Sequence, residues 1–255
     1  MIVSREHRFV FVEAPFTGST AISKELLEQY GCEEVLHKHA HLREFLNVAT
    51  PEEREYKVAI GVRHPLDQIV SFHAKLKTNH KGAFDDPARF EENGGWVSAA
   101  NREQFEFVKG SDGDFSAYLE RYFLSGGVRV SQYLWGRSAY DHLIRFERID
   151  ESFAELLGAL GLEAKRALPV ANPTAGRERD FFSAYPEELR GRVRAFLGPL
   201  IEDWGYELPA SWGSEVPLSS RISYRFKNFA GRVATQVFHL TPRHYTRTRA
   251  KLSQG

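Results

Sequence analysis

Three short apolar runs, each leading at once into a turn and then a helical pattern, constrain this chain more than any other feature. Arg8 to Ala14 (RFVFVEA) is rich in β-formers, Pro15 to Thr20 (PFTGST) makes a tight loop, and Ala21, Ile22, Leu26, Leu27 and Tyr30 recur at helical spacing. Gly31 follows, a residue able to take positive φ and end that helix. Lys57 to Val62 (KVAIGV) is the second run, succeeded by a helical segment through Ile69, Val70 and Phe72, and His142 to Phe146 (HLIRF) is the third. Apolar strands alternating with amphipathic helices predict an α/β fold, in which a central, mainly parallel sheet flanked by helices binds ligands beyond the carboxyl ends of its strands. Two further amphipathic helices are predicted over Asp150 to Leu160 and Pro186 to Trp204, the latter opened by its proline.

The stretch from Thr78 to Gly113 is polar and dotted with glycine, including Asp85-Asp86-Pro87 and Asn93-Gly94-Gly95, and reads as a long excursion over the sheet. A 42% hydrophobic content is ample for a buried core. Residues 1–212 are therefore taken as one domain. Residues 213–255 differ: eight Lys/Arg stand against one acid, Glu215, so this part reads as a basic, helical extension. Over the whole chain 34 cations balance 34 acids, which gives no argument for a nucleic-acid partner. The single cysteine, Cys32, forms no internal disulfide and fits a reducing compartment. Arg5, Glu6, His7 and Arg8 interrupt any apolar leader, and no window approaches a membrane span, so the sequence predicts a cytoplasmic protein.

Phe16-Thr17-Gly18-Ser19-Thr20, with Ala21 entering the helix, sits where backbone N–H groups and a positive helix end favour an anion. A kinase-type phosphate loop needs G-x-x-x-x-G-K-[ST]; this loop has one glycine and no such lysine, which argues against nucleoside-triphosphate hydrolysis. After the second strand, Arg63 and Ser71 lie eight residues apart, and a helix starting near Pro65 would let both converge on one phosphate. Phosphates at two adjacent strand-to-helix junctions are what a nucleotide with both 5′ and 3′ phosphates demands.

These segments resemble the paired elements that bind 3′-phosphoadenosine 5′-phosphosulfate (PAPS) in the sulfotransferase superfamily, P-K-x-G-[ST]-[ST] and R-x-P-x-[DE]-x-x-x-S-[YF]. His142 to Ile149 (HLIRFERI) is similar to the family's strand ending R-[YF]-E-x-[LI], and Tyr185 to Tyr206 to its closing helix, so the resemblance covers roughly residues 8 to 210. It implies a P-loop-like three-layer fold. It also implies PAPS bound at its 5′ end by Thr17, Gly18, Ser19 and Thr20, with Arg63 and Ser71 on the 3′ phosphate. The chain departs from the pattern at Phe16, where the family carries a lysine. Lys38, Lys24, Arg177 and Arg179 are the candidate replacement cations. Phe146 is a candidate either for stacking on adenine or for the core.

Leu36 to Phe45 (LHKHAHLREF) places His37, His39 and His41 at alternate positions, which an extended segment would display on one face. The pattern resembles the H-x-H of uronyl 2-O-sulfotransferases, which implies His39 as catalytic base, His37 as its companion and a sugar hydroxyl as acceptor. Neither a carboxylate nor a thiol cluster accompanies the histidines, so a metal is not expected. A histidine with pKa near ~6.5 suits proton removal from a hydroxyl. The expected partner is accordingly a hydroxyl-bearing small molecule or glycan. Two rival readings stand beside it: a nucleotide-dependent kinase, and a scaffold that keeps the fold without turnover. In the extension, Tyr224, Phe226, Phe229, Val233, Val237 and Phe238 alternate with cations. This favours a helix packed on its own domain or on a second subunit, with membrane-surface attachment as the alternative.

Overall fold

The computed structural model describes residues 1–125, 137–169, 180–213 and 215–226. The chain divides into two compact units, neither of them a single run of sequence. The first takes in Met1–Arg63, Gln132–Ala171 and Arg221–Gly255, the second His64–Ser131 and Asn172–Ser220. The domain read at 1–212 thus contains parts of both.

The first unit holds a five-stranded sheet of β1 (Ile2–Ser4), β2 (Phe9–Val12), β3 (Glu33–Glu34), β4 (Lys57–Val62) and β5 (His142–Arg145). Their order is β3-β1-β2-β4-β5. β2, β4 and β5 are mutually parallel, whereas β1 runs antiparallel to both β2 and β3. The sheet is mixed, not mainly parallel. Residues 5–8 turn β1 directly into β2, with Arg8 at a φ of 52°, and so short a connection can join only antiparallel neighbours. Helix α1 (Ser19–Gln29) and helix α2 (Leu42–Val48) follow β2 and β3, and α6 (Ile149–Ala159) follows β5. Ile22 and Leu26 of α1 share one core cluster with Phe9 and Phe11 of β2 and with Phe153, Leu156 and Leu157 of α6. Each such side chain contributes about 1.5–3 kcal/mol by leaving water.

Among the described residues the second unit is helical: α3 (Pro65–Lys77), α4 (Ala99–Gly110), α5 (Phe115–Leu119), a π turn at Glu120–Leu124, and α7 (Glu187–Asp203). The stretch read as a polar excursion contains α4, whose Phe105 and Val108 join Ala83, Phe84 and Val97 in the core. Ser98 caps α4 by accepting from the Asn101 N–H at 3.1 Å. Tyr118 and Tyr185 are fully buried, and each satisfies its hydroxyl: Tyr118 donates to Gln104 Oε1 and Tyr185 to the Leu66 carbonyl, both at 2.9 Å. His64 opens α3, its Nδ1 accepting from the Leu66 N–H and its Nε2 donating to the Glu207 carbonyl.

Residues 218–226 are helical and are the last of the described residues; this helix is α8. Its Leu218, Ile222 and Phe226 are exposed; of the apolar positions read in the extension only Tyr224, partly exposed, and Phe226 lie among the described residues. No helix among the described residues is long and apolar enough to cross a membrane.

Candidate active site

The loop between β2 and α1 is shaped from inside. Thr17 is buried and its hydroxyl donates to the Ala14 carbonyl at 2.8 Å, so that side chain braces the turn. Phe16 and Gly18 both take left-handed backbone, φ 65° and 76°. For an aromatic residue this conformation is costly and persists only where the surroundings impose it. Here the Arg63 guanidinium donates to the Phe16 carbonyl at 3.2 Å and lies 4.5 Å from the centre of the Phe146 ring. The φ of Gly18 is what favours glycine there; a Cβ would also stand 2.5 Å from Ile149 Cδ1, the movable end of that side chain. A Cβ at Gly61 of β4 would meet Thr17 Oγ1 at 2.6 Å, so the strand and the loop touch backbone to side chain.

This path delivers the chain to the start of α1 with Gly18 as N-cap and no side chain capping the helix. The Ala21 N–H is spent on the Gly18 carbonyl at 2.9 Å. Helix geometry gives the N–H groups of Ser19 and Thr20 no acceptor within the helix, and no acidic side chain occupies the first turn. The result is a local positive end able to hold an anion.

The histidine segment is a turn, not a strand. The Ala40 N–H donates to the His37 carbonyl at 3.1 Å and His39 has a φ of 66°, so alternation no longer places the three rings on one face. His41 becomes the N-cap of α2, its backbone N–H donating to Glu44 Oε1 at 2.8 Å. His37 is partly exposed, with Nε2 4.0 Å from Glu44 Oε2. Among the described residues no three histidine, cysteine or acidic side chains gather as a metal site.

His39 and Lys38 turn to the loop. His39 Nδ1 lies 2.6 Å from the main-chain oxygen of Glu13. A carbonyl oxygen only accepts, so Nδ1 carries the proton and Nε2 keeps its lone pair. Burial holds the His39 pKa below its ordinary value, and the neighbouring Lys38 charge pushes the same way, against the Glu13 bond. Lys38 is exposed, and its Nζ donates to Thr20 Oγ1 at 2.8 Å. Lys24, by contrast, lies 3.7 Å from Glu28 one turn along α1. Arg177 and Arg179 lie outside the described residues.

Glu13 was not singled out from the sequence, although a carboxylate inside an apolar strand run is a signal, because such a group is buried only when paired. It is 3% exposed and accepts from Ser23 Oγ at 2.7 Å and from the Met1 amino group at 2.6 Å. Its side chain thereby fixes the end of β2 to α1 while its carbonyl orients His39.

Phe146 is half-buried and covers Gly18 and Arg63, in keeping with a packing role. Arg63, 5% exposed, closes the first unit, whereas Ser71, 1% exposed, belongs to α3 of the second. Comparison with protein-family models, curated proteins and solved structures found no match.

Proposed function

We propose that this chain is a sulfotransferase with a P-loop-like fold, transferring a sulfuryl group from PAPS to the hydroxyl of a carbohydrate. One observation carries the reading. Two adjacent residues of a distant turn grip the two ends of the β2–α1 loop: His39 bonds the main chain that enters it at Glu13, and Lys38 bonds the side chain that leaves it at Thr20. A base and a cation are thus held at an anion-binding helix start.

In this scheme the acceptor oxygen forms a bond to sulfur while the bond from sulfur to the 5′-phosphate oxygen breaks. The hydroxyl proton passes to His39 Nε2, and 3′,5′-adenosine bisphosphate leaves. Nδ1, bonded to the Glu13 carbonyl, keeps the ring in the tautomer that accepts at Nε2. Lys38 and the N–H groups of Ser19 and Thr20 offset charge developing on the sulfuryl oxygens and the leaving phosphate, and Lys38 supplies the cation that Phe16 lacks. His37, beside Glu44, accompanies the base. Arg63 shapes the loop through Phe16 and serves nucleotide binding in that way as well as by its charge.

Mass spectrometry of a mixed glycan and lipid pool incubated with PAPS tests the acceptor, with sulfated glycan as the expected product. Phe16 in place of the loop lysine also favours a second reading, a scaffold of the same fold. Firm binding of 3′,5′-adenosine bisphosphate with no sulfated product from any acceptor would support that alternative.

A further inference from the structure

Helix α8 has its amphipathic character reversed. Leu218, Ile222 and Phe226, four residues apart, share one face, and they are 69%, 59% and 70% exposed. On the opposite face Ser220 and Tyr224 are only partly exposed. A surface helix of a water-soluble domain does the opposite, turning its apolar stripe inward. Arg225, exposed, and Arg221 lie along one border of the stripe, where long cationic side chains can reach a charged layer while their stems stay over apolar surface.

The charge around this helix narrows what can cover it. From Val216 to Gly255 the sequence has eight Lys/Arg and no Asp or Glu, whereas residues 1–215 carry 26 cations and 34 acids. Two copies meeting symmetrically through this face would bring like charge onto like charge. A free polyanion would answer the arginines and leave Leu218, Ile222 and Phe226 in water. An acidic lipid bilayer answers both, taking the apolar side chains below its headgroups and the cations at them.

We propose that α8 docks the protein on the surface of an anionic membrane, lying in the headgroup plane with Leu218, Ile222 and Phe226 inserted. The inference does not rest on the sulfotransferase reading and holds or fails separately from it. The test is flotation of the full chain with vesicles of phosphatidylcholine alone or mixed with phosphatidylglycerol. Wild type is expected to float with the acidic vesicles, to stay behind with the neutral ones, and to be released by salt. Ile222→Glu/Phe226→Glu should lower acidic-vesicle binding by about tenfold or more, and Arg225→Glu should lower it further in low salt than in high salt. All three positions are exposed, so thermal melts of the variants should match wild type. No flotation of wild type with acidic vesicles at low salt would overturn the proposal, as would an Ile222→Glu/Phe226→Glu chain that binds as well as wild type. A wild-type dimer in sedimentation velocity, lost in that same variant, would also overturn it and assign the face to a second copy.

Discussion

His39 Nδ1 and the Glu13 main-chain oxygen stand 2.6 Å apart, and this bond decides which ring nitrogen can take a proton. It predicts that His39→Ala lowers kcat by about 10²–10⁴-fold, the range of a lost general base, while 3′,5′-adenosine bisphosphate still binds. Single-turnover kinetics with a calorimetric titration separate the two effects. Equal activity of variant and wild type would reject the base assignment.

The same histidine sets a pH dependence. Burial and Lys38 hold its pKa below the ordinary 6.5, so the neutral, proton-accepting form persists below that pH. The acid limb of kcat/KM should therefore fall below pH 6.5, with activity lost as pH drops through the depressed pKa. Lys38→Ala should move the limb upward. A limb above 6.5 in wild type would contradict the assignment.

Lys38 and Thr20 give a more direct test of the replaced cation. Lys38→Ala should cost about tenfold or more in kcat, as expected when a charge-assisted contact to a developing anion is removed. Phe16→Lys in the Lys38→Ala background should recover part of that loss, because it returns a cation to the position where the resembled pattern has one. Failure of Lys38→Ala to change turnover would remove Lys38 from the site.

Gly61 and Thr17 test the packing of the loop. A Cβ at Gly61 would stand 2.6 Å from Thr17 Oγ1, so Gly61→Ala should destabilise the fold by about 1–3 kcal/mol and weaken nucleotide binding. Gly158→Ala, in the exposed last turn of α6 with open space around it, should instead be neutral or stabilising by about 0.4–1 kcal/mol. Urea denaturation of both variants checks the contrast.

His73 makes the second unit sensitive to acid. Its ring packs on Phe115 and Tyr118, its Nε2 is buried without a hydrogen-bond partner, and burial, with Lys77 acting in the same direction, pushes its pKa down to about 4. The unfolded chain, with an ordinary histidine, takes the proton first as pH falls below ~6.5, so stability is lost from there down through about 4, by up to about 3 kcal/mol. His73→Phe should flatten urea midpoints measured between pH 7 and 4.5. An unchanged slope would mean that the ring charges freely in the folded state.

Much of this architecture was legible in the sequence because it rests on local signals. Lys57–Val62 is the strand its apolar run predicts, and Pro65 opens α3 as a proline at the first helical turn does. Gly31 takes φ +60° directly after Tyr30, as the end of α1 requires. What escaped depends on tertiary contact. The H-x-H alternation reads as extended chain, but His39 is drawn into left-handed backbone beside its bond to Glu13, and His41 is claimed as a helix cap. β1 is three residues long and has no periodicity to detect, and α4 was hidden by the polar residues around Phe105 and Val108. The mixed sheet follows from the first of these and the buried excursion from the second.

Incubating wild type and His39→Ala with glycan acceptors and either sulfur-labelled PAPS or γ-labelled ATP separates sulfuryl transfer by a histidine base from phosphoryl transfer. Label is expected on the glycan only from PAPS and only with wild type. Label transferred from ATP, or no transfer from PAPS to any hydroxyl despite tight binding of the nucleotide, would contradict the sulfotransferase reading.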